Sequence, residues 1–180
     1  MRRVSVVGTS GSGKTTFART LAGRLGVPHI ELDSIYHQPN WTPLPDDEYR
    51  IRVGGIVAGP AWVIDGNYSA VRQLVWDSAD TVVVLAYPRR VVMRRIIGRS
   101  LNRVILRRAL WNDNRERWSN LLSRVPEENI ALWAWTSYEK NLNRYLVAMS
   151  DPRWRHLTFH RFTTPTQARQ FLTFLPEFGR

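Results

Sequence analysis

The sequence predicts an α/β domain in which about five parallel strands are covered by helices on both faces, a three-layer α/β/α sandwich. Three observations lead to this prediction. Short apolar runs alternate with longer segments of helical periodicity along the chain. The apolar runs are nearly continuous, as in strands that are buried on both faces. The 180 residues, 43% of them hydrophobic, suffice for one domain with its own core, which we take as residues 1–180.

The first elements follow from apolar spacing and from helix-ending residues. Arg3–Val7 is predicted to be a buried strand, and Lys14–Leu25 a helix with apolar residues four apart on one face. Gly26 and then Pro28 follow this helix, an order typical of a helix C-terminus. A short second strand is predicted over His29–Leu32.

The rest of the chain continues the alternation. A helix is expected from Asp46 to about Ala58, with acidic residues in its first turn. The further predicted strands are AWVID, DTVVVLAYP and RHLTFHRF, and the further helices are about Arg89–Leu110, Pro126–Met149 and Thr164–Leu175. The polar stretch Trp111–Val125 is predicted to belong to a lid over about residues 100–125.

A glycine-rich segment joins the first strand to the first helix. Its sequence, GTSGSGKT from Gly8 to Thr15, matches the spacing G-x-x-x-x-G-K-[ST] of a phosphate-binding P-loop. The glycines allow backbone N–H groups to turn towards phosphate oxygens, and the helix adds its positive N-terminal end. The sequence therefore predicts a P-loop NTPase fold that binds ATP through Gly8, Ser10, Gly11, Ser12, Gly13, Lys14, Thr15 and Thr16.

A magnesium site is expected beside this loop. The chain has no cysteine and four scattered histidines, so oxygen ligands and a hard cation such as Mg²⁺ are favoured. Thr15 supplies a hydroxyl, and Asp65 ends the third predicted strand at the same edge of the sheet. The alternative is that Asp65 only begins an Asp-Gly turn.

Three segments of the sequence carry a family resemblance. GTSGSGKTT, IELDSIY and WVIDGNY together resemble bacterial adenylate-kinase-related P-loop proteins that are often called DNA topology modulation (FlaR-type) proteins. The resemblance implies a nucleoside-monophosphate-kinase-like fold with an ATP site and a helical lid. A looser similarity to adenylate kinases, in RIIGR from Arg95 to Arg99, implies that Arg95 lies against adenine and Arg99 near the transferred phosphate. Arg115 and Arg117, in the predicted lid, are candidates to close over the triphosphate.

A phosphoryl acceptor is expected to bind in residues 33–60. Asp33, at the end of the second predicted strand, is placed to orient an acceptor hydroxyl, and a loop or capping role is its alternative. The expected lining residues are Tyr36, His37, Trp41, Asn67 and Tyr68. Ser69 stands where adenylate kinases have an arginine for the acceptor phosphate, and Arg72 lies one turn further on. The acceptor therefore stays open among nucleosides, nucleotides and other hydroxyl compounds.

The charge of the chain keeps other functions open. Twenty-six basic residues against 15 acidic ones give a net charge of +11, and only Lys14 and Lys140 are lysines. This surplus favours anionic partners, either nucleotides or nucleic acid, and the alternative is that it reflects a biased genomic base composition. We favour an ATP-dependent kinase that phosphorylates a small-molecule acceptor over a nucleic-acid-associated nucleotide-binding protein or a regulatory ATPase. No apolar run is long enough to span a membrane, and a cytoplasmic location is expected.

Overall fold

The computed structural model describes residues 1–105 and 130–175, with the backbone alone at 99–105, 130, 131, 133 and 134. In chain order its strands are β1 (Arg3–Gly8), β2 (His29–Glu31), β3 (Trp62–Asp65), β4 (Thr81–Leu85) and β5 (Thr158–Phe162). Its α-helices are α1 (Lys14–Leu25), α2 (Leu32–Tyr36), α3 (Asp46–Val57), α4 (Ser69–Ser78), α5 (Arg89–Ile105), α6 (Ile130–Met149) and α7 (Pro165–Phe174). Two 3₁₀ turns cover Pro39–Trp41 and Pro152–Trp154.

The five strands form one parallel sheet in the order β2-β3-β1-β4-β5. The central strand β1 pairs with β3 on one side and β4 on the other, so the chain changes its winding direction around β1. In sheets of this kind the crevice at the carboxyl ends of the strands near such a point is the usual ligand site. The predicted all-parallel α/β sandwich with five strands is confirmed.

Helices cover both faces of the sheet because alternate strand residues point to opposite sides. Val4 and Val6 of β1 pack with residues of α1, α5 and α7 in one buried cluster. Val7 belongs to the other cluster, which includes residues of α3 and α4. Trp76 lies in this second cluster and satisfies its indole N–H by donating to Ser5 Oγ at 3.2 Å.

The cap at the end of α1 is the one that the sequence predicts, whereas the capping box of α7 was not predicted. Gly26 ends α1 with a left-handed φ of 65°, and its N–H binds carbonyl groups of the last turn. Thr164 caps α7, accepting from the N–H of Gln167, whose side chain in turn accepts from the Thr164 N–H. Pro165 occupies the first helical position.

The predicted second strand was one residue too long. It ends at Glu31, where its partner β3 ends at Asp65, so no pairing partner remains for Leu32. Leu32 instead begins α2 and is buried against Gly66, where an added Cβ would lie 2.8 Å from the Leu32 Cβ. Asp33 is therefore the second residue of a short helix rather than the end of a strand.

The predicted lid at about 100–125 lies almost wholly outside the described residues, which end at 105 and resume at 130. Within the described part of the chain, no helix is long and apolar enough to cross a membrane.

Candidate functional site

The glycine-rich segment forms a tight loop between β1 and α1. Gly11 and Gly13 have φ values of 77° and 88°, the left-handed region in which a side chain is strained. The Ser12 N–H donates to the Thr9 carbonyl at 3.2 Å and closes the turn. The backbone thus has the conformations for which the three glycines were predicted.

Helix α5 and strand β4 pack closely against the glycines of this loop. A Cβ on Gly11 would lie 2.4 Å from Ile96 Cγ1, and one on Gly8 would lie 2.8 Å from the Leu85 carbonyl oxygen. Arg95 of α5 donates from Nη1 to the Ser12 carbonyl at 2.8 Å. There is therefore no room behind the loop for any residue larger than glycine at position 11.

The chemistry of the loop suits an anion. Thr9 Oγ1 and Ser12 Oγ are buried without a hydrogen-bond partner in the described structure. The first N–H groups of α1 have no intrahelical acceptor, because they belong to its first turn. Lys14 Nζ reaches back over the loop and donates to the Thr9 carbonyl at 3.2 Å. Donors of these kinds, with one lysine, are what a triphosphate requires.

The other predicted members of the loop take up ordinary positions in it. Ser10 is half-buried in the turn before Gly11, and Thr16 is exposed in the first turn of α1. The Thr16 carbonyl accepts from Thr20 Oγ1 one turn later, at 3.0 Å.

Asp65 and Thr15 meet at the carboxyl end of β3. Thr15 Oγ1 donates to Asp65 Oδ1 at 3.2 Å, and His29 Nε2 lies 2.7 Å from Asp65 Oδ2. The Asp65 side chain is buried, and this burial raises the pKa of its carboxyl group, while the His29 contact and the positive charge of Lys14 act in the opposite direction. His29 was not singled out in the sequence, although it is the first residue of the short predicted strand β2.

The Thr15 hydroxyl oxygen and the Asp65 carboxylate are ligands that suit a hard cation. No group of three or more His, Cys, Asp or Glu side chains comes together among residues 1–105 and 130–175. Mg²⁺ commonly keeps several waters and binds through one or two protein oxygens plus substrate phosphates. Thr15 and Asp65, beside the loop, match that pattern.

Asp33 lies in a separate polar cluster. Tyr68, three residues after Asp65, donates from its hydroxyl group to Asp33 Oδ1 at 2.6 Å, and its hydroxyl oxygen lies 3.3 Å from His37 Nε2. Burial and the Asp33 charge raise the pKa of Tyr68, so its phenol stays protonated and remains a donor at neutral pH. Burial lowers the pKa of His37, which the Asp33 charge opposes.

Aromatic rings form one wall of this cluster. The Tyr36 ring lies 4.5 Å from that of Tyr68 and 5.3 Å from that of Tyr49, between centroids. Tyr49 is fully buried on α3, and the His37 ring packs edge-on against Trp41 at 5.3 Å. Trp41 is 37% exposed, so it stands at the rim of the cluster.

A third polar group joins the loop after β3 to helices α4 and α6. Arg72 Nε donates to Asn67 Oδ1 at 2.6 Å, and Asn67 Nδ2 donates to the Tyr145 hydroxyl oxygen at 3.0 Å. The Tyr145 hydroxyl group lies 3.5 Å from the Gly8 carbonyl oxygen, at the start of the phosphate loop. Tyr145 was missed, because it lies 78 residues from its partner and nothing in its local sequence marks it.

The structure describes the predicted site arginines to different extents. Arg95 contacts the phosphate loop, and its guanidinium group lies 5.3 Å from the centroid of the Tyr87 ring, so contact with adenine stays a prediction. Arg99 also lies on α5, and only its backbone is described. Arg115 and Arg117 lie outside the described residues.

Comparisons with solved structures identify proteins of the same fold. The chain is similar to a shikimate kinase from Bacteroides thetaiotaomicron, with 18% identity over 96% of this chain and 94% of the other and a TM-score of 0.58. It is also similar to a gluconokinase from Sinorhizobium meliloti 1021, with 19% identity over 96% and 90% of the two chains and a TM-score of 0.52.

A shikimate kinase from Acinetobacter baumannii, solved in complex with shikimate, shows 20% identity over 96% of this chain and 89% of the other, with a TM-score of 0.50. No protein-family model matches the chain, and no curated protein sequence matches it. The chain thus has the fold of these kinases, and the resemblance to DNA topology modulation proteins stays a prediction.

Proposed function

We infer that the chain is an ATP-dependent phosphotransferase, which moves the γ-phosphoryl group of Mg·ATP to a hydroxyl group of a small-molecule acceptor. One observation carries this proposal. The carboxyl edge of the sheet holds a phosphate loop with Thr15 and Asp65 and, separately, the half-buried hydrogen bond from Tyr68 to Asp33. A nucleotide switch needs the first group only, whereas a kinase needs both.

The nucleotide half of the proposal rests on the loop. The triphosphate binds the N–H groups of residues 9–15 and the buried hydroxyl groups of Thr9 and Ser12, and Lys14 bridges the β- and γ-phosphates. Thr15 and Asp65 would hold Mg²⁺, directly or through water, and the ion would supply positive charge against the phosphates. Arg95, Arg99, Arg115 and Arg117 complete the nucleotide site in this proposal, the last two from the lid.

The acceptor half rests on Asp33. Tyr68 donates to Oδ1, and among residues 1–105 and 130–175 no recorded hydrogen bond reaches Oδ2, so this oxygen is available to accept from an acceptor hydroxyl. The acceptor oxygen forms a bond to the γ-phosphorus, while the bond between that phosphorus and the β–γ bridging oxygen breaks. ADP leaves with the bridging oxygen, and Asp33 orients the hydroxyl group and takes up its proton as the new bond forms.

The residue types around Asp33 suit a small polar acceptor. Tyr36, Tyr68 and Trp41 offer ring surfaces, and the rim position of Trp41 leaves access from solvent. Pockets of this composition orient a ligand through few polar groups. Segment 33–60 is therefore our proposed acceptor site, in a single kinase-like domain with the lid at about 100–125.

The test is acceptor-stimulated ADP release. The candidate acceptors to be tested are nucleosides, nucleoside monophosphates, sugars and hydroxy acids. They include gluconate and shikimate, after which the structurally similar kinases are named. Asp33→Asn is expected to slow stimulated release by about 10- to 150-fold, the loss of one charge-assisted hydrogen bond of about 1.5–3 kcal/mol, and to leave Mg·ATP binding unchanged.

Asp77→Asn, at an exposed acidic residue of α4 outside the proposed acceptor segment, is the matched control and is expected to behave as wild type. If no acceptor stimulates ADP release and Asp33→Asn equals wild type, the kinase proposal fails. A regulatory ATPase is then the better description. Nucleic-acid binding would show itself by an affinity that falls about 10³-fold or more between 50 and 200 mM salt.

A further inference from the structure

His37 lies one helical turn after Asp33, at the end of α2. Its backbone N–H donates to the Asp33 carbonyl oxygen at 3.0 Å, which fixes the two residues relative to each other. The half-buried imidazole ring packs edge-on against Tyr36 and Trp41, with centroids 5.2 and 5.3 Å away. Backbone and ring packing together therefore hold His37 Nε2 towards the Tyr68 hydroxyl group.

The hydrogen of the Tyr68 hydroxyl group can be assigned by counting donors. The hydroxyl oxygen lies 2.6 Å from Asp33 Oδ1 and 3.3 Å from His37 Nε2, and a phenol has one hydrogen to donate. The carboxylate is both the closer and the stronger acceptor, so the hydrogen points to Asp33. The contact with Nε2 is then a hydrogen bond only if His37 carries a hydrogen on Nε2. The three side chains thus form a chain of donors that runs from His37 through Tyr68 to Asp33.

The position of the hydrogen on His37 matters for Asp33. An unprotonated Nε2 would compete with Asp33 for the single hydroxyl hydrogen, whereas an Nε2–H group removes this competition. Donation to the hydroxyl oxygen also polarises the phenol, which strengthens its own hydrogen bond to the carboxylate. Asp33 Oδ1 is then occupied by Tyr68, and Oδ2 is the oxygen left for an acceptor hydroxyl group.

We propose that His37, with its hydrogen on Nε2, is a positioning residue for phosphoryl transfer, which holds the Tyr68 hydroxyl hydrogen on Asp33 Oδ1 and so reserves Oδ2 for the acceptor hydroxyl. The role in transfer rests on the proposed function. The direction of the hydrogen-bond chain does not, because it follows from the contacts among the three side chains. The two parts are therefore tested separately.

The tautomer is measured first, without any acceptor. The ¹⁵N chemical shifts of the imidazole nitrogens are recorded by NMR on the labelled full chain at about pH 8, where His37 is neutral. Burial lowers the pKa of His37, although the Asp33 charge opposes this effect. The His37 signals are assigned by their loss in His37→Gln. Nε2 is expected to show the shift of a protonated ring nitrogen, and Nδ1 that of an unprotonated one.

Acceptor-stimulated ADP release is measured next, with the acceptor that stimulates wild type most. His37→Phe keeps an aromatic ring beside Trp41 and removes the donor, so kcat is expected to fall about 2- to 12-fold, the worth of one neutral hydrogen bond. The acceptor KM and the ATP affinity are expected to stay unchanged. His37→Gln supplies an amide N–H and is expected to recover part of the rate. His37→Leu removes the donor with less bulk and gives the same test if His37→Phe fails to fold.

A double-variant cycle separates action through Tyr68 from a structural role. If His37 acts through the Tyr68 hydroxyl group, His37→Phe is expected to slow the reaction no further in a Tyr68→Phe background. The control is His160→Phe, at a half-buried histidine of β5 whose ring lies 4.9 Å from that of Phe171, and it is expected to behave as wild type.

Three results overturn the inference. A His37 hydrogen on Nδ1 would reverse the direction of the chain. Equal effects of His37→Phe with and without the Tyr68 hydroxyl group would show that His37 does not act through Tyr68. A raised acceptor KM at unchanged kcat would make His37 a residue that binds the acceptor itself. If no acceptor stimulates wild type, the proposed function fails and the role in transfer with it, whereas the tautomer is still measured.

Discussion

Substituting Gly11 tests whether the phosphate loop is held as the structure shows. Gly11→Ala places a Cβ 2.4 Å from Ile96 Cγ1 and 2.9 Å from the Val92 carbonyl oxygen, in a backbone conformation with φ of 77°. The left-handed conformation costs a residue with a side chain about 1–2 kcal/mol, and overpacking adds about 1–3 kcal/mol. The free energy of unfolding is therefore expected to fall by about 2–5 kcal/mol.

Gly23→Ala is the matched control for this measurement. Gly23 lies inside α1 with nothing within 4 Å of an added Cβ, so alanine is expected to raise the free energy of unfolding by about 0.5–1 kcal/mol. Urea unfolding of both variants, with and without Mg·ATP, gives the two values. A Gly11→Ala variant as stable as wild type, with unchanged nucleotide affinity, would refute the described packing of the loop against α5.

Three further substitutions test the site. Lys14→Ala is expected to fold normally, because Lys14 faces the loop and not the core, but to lose the thermal stabilisation by Mg·ATP that wild type shows. Asp65→Asn is expected to be at least as stable as wild type without ligand at neutral pH, yet to lose the Mg²⁺ dependence of nucleotide binding. The reason for the first effect is that a carboxyl group whose pKa is raised by burial destabilises the fold above that pKa. Unfolding scans from pH 5 to 8 without ligand check this effect, and ATP titrations with and without Mg²⁺ check the second. Tyr68→Phe keeps the ring contacts and removes the 2.6 Å hydrogen bond to Asp33, so acceptor-stimulated ADP release should slow about 10- to 150-fold at unchanged ATP affinity. A normal rate for Tyr68→Phe would separate Tyr68 from the acceptor site.

The sequence predicts the sheet and the phosphate loop well because both depend on local signals. Apolar runs marked each strand to within a few residues, and Gly11 and Gly13 before Lys14 have the left-handed conformations that favour glycine. The place of Asp65 at the end of β3 followed from the apolar run before it.

Contacts between distant residues could not be predicted in this way. The hydrogen bond between Asn67 and Tyr145 joins residues 78 positions apart. Helix α4 was missed in the sequence, although its buried residues Val71, Val75 and Trp76 have helical spacing. Asp33 was expected to end a strand, but β2 already ends at Glu31 because its partner β3 ends at Asp65.

The most direct test of the account follows the γ-phosphoryl group itself. ATP labelled with ³²P at the γ position is incubated with wild-type protein, Mg²⁺ and each acceptor in turn, and the labelled products are separated. Label is expected to appear in a phosphorylated organic product, with Lys14→Ala abolishing its formation and Asp33→Asn reducing it. Label found only in inorganic phosphate, at a rate that no acceptor changes, would contradict the central claim that this chain transfers phosphate to a small molecule.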